Sequence, residues 1–135
     1  SHKGVNKAMV RRYHSVLKLI GLDPWLDEDA MPAGTELERG ILKGFEDSCA
    51  AVFFVTPAFK DENFLATEVN YAVAQKRKKG DRFAIVSIVF EADGEKGVVP
   101  ALLRPYVWKD AASEIDTLEH ILRALPVRLG APQWR

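Results

Sequence analysis

The two residues best placed to do chemistry in this chain are Phe64 and Glu68, an aromatic ring and a carboxylate four positions apart. In a helix that spacing puts both side chains on one face, a single turn apart. Just upstream, Phe53-Phe54-Val55-Thr56-Pro57 reads as the end of a strand. Earlier, Leu22-Asp23-Pro24-Trp25-Leu26 reads as a short strand running into an acidic loop, Asp27-Glu28-Asp29-Ala30-Met31-Pro32-Ala33-Gly34. A loop at the carboxyl end of one strand, answered by a lone carboxylate after the next, is how an open α/β sheet builds a site. A carboxylate there can accept hydrogen bonds from hydroxyls and stabilise positive charge.

Each of these residues also has a plainer reading. Glu68 fits the solvated face of an amphipathic helix, and Phe64 fits the core at a helix start. Trp25 can pack beneath the loop as well as bind a ligand. Asp27, Glu28 and Asp29 suit a polar loop ahead of a helix, without the ligand pattern of a calcium site. His14 and His120 lie in helical segments with no Cys or His partner at ligand spacing, so no metal site is expected. Cys49 is the single cysteine and rules out an intrachain disulfide. At the start of an apolar strand it is expected to be a buried, inert thiol.

The elements that must position these residues alternate regularly. Val5, Met9, Tyr13, Val16, Leu17 and Ile20 keep helical spacing, and Gly21 is a natural stop. After the strand over 22–26 and the loop, Thr35 and Glu38 form a capping box, and Leu37, Ile41 and Phe45 line one helical face. Residues 50–55 are a continuous apolar run, the mark of a strand covered on both faces. A helix over 62–79 turns Leu65, Val69, Ala72 and Val73 inward. Its basic end, Lys76-Arg77-Lys78-Lys79, complements the negative end of the helix dipole. Residues 82–90 form the strongest strand, 91–97 a polar loop with two glycines, and 100–103 one helical turn. Tyr106-Val107-Trp108 reads as a short strand toward an edge. A last helix uses Ile115, Leu118, Ile121, Leu122 and Leu125 and is stopped by Pro126, with 130–135 as a tail or linker.

This order implies a parallel sheet wound on both faces by right-handed crossovers. The chain opens on a helix where such folds open on a strand, so a strand is expected ahead of Ser1. At 135 residues it is one domain with room for a real core. Formal net charge is zero, which gives no field favouring nucleic acid or anionic lipid. No signal peptide or membrane-length apolar run is present, and a reducing, cytoplasmic setting fits best.

In order and spacing the chain resembles a TIR (Toll/interleukin-1 receptor) domain of the prokaryotic kind. Ser1-His2-Lys3 resembles the end of the family's first strand, and Trp25 to Gly34 its second strand and BB loop. Ser48 to Pro57, followed by Phe64-x-x-x-Glu68, resembles the third strand and the helix carrying the glutamate of enzymatic members. The family more often has Trp where this chain has Phe64. The resemblance implies a flavodoxin-like open parallel sheet of about five strands with helices on both faces, its first strand missing here. It implies a single TIR domain over 1–135, part of a larger multidomain protein.

It also implies an NAD glycohydrolase or ADP-ribosyl cyclase, with NAD as substrate and no prosthetic group. Ordinary glycosides need a carboxylic acid to protonate the leaving alkoxide. Nicotinamide already carries positive charge in NAD and leaves neutral, so one carboxylate can suffice, holding the ribose and stabilising the cation. Glu68 takes that role. Phe64, Trp25, Asp27, Asp29 and Gly34 make the nicotinamide-ribose side, and Ser1, His2 and Lys3 the adenosine side, with Lys3 toward the pyrophosphate. The absence of a GxGxxG turn excludes the Rossmann manner of holding the cofactor. Implied partners are other copies of the domain and an adjoining regulatory or sensor domain, in bacterial anti-phage immunity, with no direct nucleic acid and no membrane. The alternative is a non-enzymatic TIR scaffold. A response-regulator-like fold wants an acid at the end of its third strand, where this chain has Thr56-Pro57.

Overall fold

Glycine 21 ends the first helix in the way the spacing predicts. Helix α1 (Lys7–Leu19) closes in a Schellman motif, with Gly21 N donating to Lys18 O at 3.2 Å and Leu22 N to Leu17 O at 3.1 Å. Gly21 takes φ 95°, which a side chain would resist. The computed structural model describes residues 7–24, 37–59 and 63–126, and of 37, 38 and 63–65 only the backbone.

Among the described residues three further helices and five strands follow. They are α2 (Leu37–Asp47), β1 (Ala50–Val55), α3 (Asn63–Lys79), β2 (Ala84–Val89), β3 (Glu91–Ala92), β4 (Glu95–Lys96), β5 (Trp108–Asp110) and α4 (Glu114–Ala124), with single 3-10 turns at Gly80–Arg82 and Ala101–Leu103. Among the described residues the main sheet has three parallel strands in the order β1-β2-β5. The expected α/β parallel sheet with helices on both faces is therefore present.

The apolar run of β1 is explained by its two neighbours. Ala51, Phe53 and Val55 face one core with Ile41, Phe45, Val69, Ala72, Val73, Ile85 and Val89, which α2, α3 and β2 supply. Phe54 faces the other way, onto Val10 and Tyr13 of α1, with Val52 beside it. Val86 and Ile88 of β2 also take that second face and meet Ile121 of α4. Period-two alternation thus sends successive apolar side chains into opposite cores.

Four expectations are corrected. Residues 22–24 form no strand; Pro24 has no N–H to give a ladder, and its carbonyl accepts from His14 Nε2 at 3.0 Å. The rest of that expected strand, Trp25 and Leu26, lies outside the described residues. Residues 91–96 are not a plain loop but a two-stranded hairpin. Cys49 is exposed, not buried. Ile115 is 80% exposed because α4 packs through Thr117 and Ile121, and Ile115 lies roughly 200° around the helix from Thr117.

Candidate active site at the carboxyl end of the sheet

Strand β1 ends at Val55 and hands the chain to a tightly tied turn. Thr56 is buried, Phe59 N donates to Thr56 O at 2.9 Å, and Phe59 packs edge-on against Phe53 with centroids 6.2 Å apart. Helix α3 then rises from this end of the sheet. Val69 and Ala72, both with no exposed surface, lock it onto the core. Glu68 directly precedes Val69, on the second turn, and is half-buried. A carboxylate in that position is set by a rigid, packed helix while keeping access to solvent, as a reacting group requires. Phe64 lies on the same helix four residues earlier, and its side chain is outside the described residues.

The hairpin forms the other side of this end. Asp93 at φ 52° and Gly94 at φ 79° make the two left-handed residues of a type I′ turn between β3 and β4. Phe90 N donates to Val55 O at 2.9 Å, and Gly97 N donates to Phe90 O at 3.0 Å. The hairpin's base is thereby stitched to the last residue of β1. Its far side reaches β5 through a Lys96–Asp110 ion pair at 3.8 Å, largely in solvent.

The basic run of α3 sits at the opposite end of the sheet, and two of its lysines, Lys76 and Lys79, bind main-chain carbonyls. Lys76 Nζ donates to Gly80 O and Phe83 O at 3.1 and 2.9 Å. Lys79 Nζ crosses to the end of α2, donating to Glu46 O at 2.6 Å and Ser48 O at 2.8 Å, and lies 5.4 Å from the centre of the Phe83 ring. The expected dipole role holds and extends to a second helix.

A TIR domain family model matches residues 1–125. This chain belongs to the TIR domain family. The match runs from Ser1 through the last helix and spans both halves of the expected site. None of the curated proteins and none of the solved structures matches the chain. Of the residues expected to make the site of this TIR domain, the structure places Glu68 and the helical backbone of Phe64. Trp25, Asp27, Asp29, Gly34, Ser1, His2 and Lys3 all lie outside the described residues. No group of His, Cys, Asp and Glu that could hold a metal occurs among the described residues, and no helix among them is long and apolar enough to cross a membrane. Sequence reading missed the hairpin. Its signal was the Asp93-Gly94 pair, the dipeptide that type I′ turns favour.

Proposed function

We propose that this TIR domain cleaves NAD at the bond between nicotinamide and its ribose, with Glu68 as the essential carboxylate. The observation that carries the reading is the place of Glu68: half-buried, on the second turn of the helix that rises from the carboxyl end of β1. Membership of a family that includes NAD-cleaving enzymes as well as signalling scaffolds supports it.

The carboxylate holds the ribose hydroxyls and stabilises the oxocarbenium-like cation that forms as the C–N bond breaks. The bonding pair leaves with nicotinamide, which departs neutral. Water adds to the sugar carbon and loses a proton, giving ADP-ribose; attack by the adenine ring of the same molecule gives a cyclic product. Phe64 supplies a ring on the nicotinamide side, and the 27–34 loop closes over it with Trp25, Asp27, Asp29 and Gly34. Ser1, His2 and Lys3 face the adenosine. Copies of the domain assemble to complete the pocket, under an adjoining sensor domain, in the bacterial cytoplasm as an anti-phage effector.

Forced assembly by fusion, followed by addition of NAD, tests the reading. Nicotinamide release is expected from the wild type and to fall about 100-fold or more in Glu68→Ala. Equal release from both proteins removes Glu68 from the reaction. No release from the wild type in any assembly leaves the scaffold reading.

A further inference from the structure

Gly97 is glycine for a reason of space. The left-handed glycines of the described residues are Gly21, Gly80 and Gly94, and Gly97 is not one of them. A Cβ at Gly97 would instead overlap the carbonyl oxygen and carbon of Val55 and lie 2.9 Å from the carbonyl carbon of Thr56. These are main-chain atoms at the end of a strand whose last three residues are buried, so they cannot swing aside as a side-chain tip can. The contact is held from both directions. Phe90 N reaches Val55 O, and Gly97 N reaches Phe90 O, so the hairpin between them is a closed loop pressed on the Val55–Thr56 peptide. That peptide starts the turn in which Thr56 O receives Phe59 N, and the helix of Glu68 begins four positions after Phe59 in the sequence, at Asn63.

We propose that Gly97 is a positioning residue of the candidate active site: through it the 91–96 hairpin clamps the exit of β1 and so sets where the Glu68 helix begins. The clamp stands on geometry alone; its catalytic consequence rests on the NAD-cleaving reading above. A methyl group at Gly97 forces the hairpin away from Val55 and loosens the Thr56–Phe59 turn. A change at the hairpin tip has no such effect, since nothing lies within 4 Å of a Cβ at Gly94.

The test compares Gly97→Ala with Gly94→Asn, whose side chain tolerates a left-handed backbone. Amide hydrogen exchange is read first. Gly97→Ala should speed exchange at Phe90 N–H and Phe59 N–H together by about tenfold or more, while Gly94→Asn leaves Phe59 at the wild-type rate. Under forced assembly, kcat for nicotinamide release per folded molecule should drop roughly tenfold to 100-fold in Gly97→Ala with KM for NAD unchanged, and neither should move in Gly94→Asn. Unchanged Phe59 exchange in folded Gly97→Ala overturns the clamp. Altered exchange with an unaltered kcat overturns its role in the site. A wild type that releases no nicotinamide, with the exchange pattern as expected, sinks the NAD reading and the catalytic half of this proposal but leaves the clamp standing. Should Gly97→Ala fail to fold, exchange in the wild type decides: Phe59, Phe90 and Gly97 must open together with one denaturant dependence, and a separate, easier opening of Phe59 refutes the coupling.

Discussion

At the amino end of the sheet, where α2 and α3 finish, side chains close the backbone. Lys76 takes the carbonyls of Gly80 and Phe83, Lys79 those of Glu46 and Ser48, and Ser48 Oγ donates to Gly44 O at 2.6 Å. At the carboxyl end of β1, backbone meets backbone: Phe90 N on Val55 O, Gly97 N on Phe90 O, Phe59 N on Thr56 O. The physical origin of the contrast is the direction of the helices. Their carboxyl termini gather at the amino end of a parallel sheet, where cations satisfy orphan carbonyls and the dipole together. The carboxyl end gathers helix amino termini, and there the exit of β1 is held by main-chain contacts, with Glu91, Asp93 and Glu95 of the hairpin exposed. Charge at the first end closes the frame, while at the second end the close contact is between main-chain groups.

Substitutions at the two ends should therefore separate stability from activity. Lys79→Ala removes two charge-assisted hydrogen bonds and should lower unfolding stability by about 2 kcal/mol, read by urea denaturation. The rate of nicotinamide release per folded molecule should stay at the wild-type value; a fall like that expected of Gly97→Ala would erase the distinction. Ser113 caps α4 at the carboxyl end, its Oγ accepting from Asp116 N at 3.1 Å. Ser113→Ala should cost about 1 kcal/mol in the same measurement. Smallest of all, Asp110→Asn should change stability by no more than about 0.5 kcal/mol, because its ion pair with Lys96 is screened by water. A much larger loss would make that pair, and not the main-chain contact at Gly97, the anchor of the hairpin.

Most of the frame was legible in the residues because it rests on periodicity. The apolar stripe of α3, the two-sided run of β1, the stop at Gly21 and the basic end of α3 each carry their physical cause in local sequence. What escaped reading depends on partners distant in the chain. Lys79 finds its carbonyls more than thirty residues away, at the end of α2 and just beyond it. The need for glycine at position 97 exists only because β1 ends there. The hairpin was hidden by its own polarity: Glu91, Glu95 and Lys96 show no apolar alternation, so the Asp93-Gly94 turn signal lacked flanking strands. Ile115 looked like core because it continues an apolar rhythm, whereas a polar residue, Thr117, occupies the buried position. Of the expected site, the position of Glu68 on the helix after β1 was legible from local periodicity, its role was implied by the TIR resemblance, and the loop and amino-terminal residues fall outside the described segments.

The most direct test of the account is the isosteric change Glu68→Gln, which keeps shape and removes charge, assayed for nicotinamide release under forced assembly beside Lys79→Ala. The account predicts a loss of about 100-fold or more per folded molecule in Glu68→Gln, and full activity per folded molecule in Lys79→Ala. Wild-type release from Glu68→Gln would contradict it.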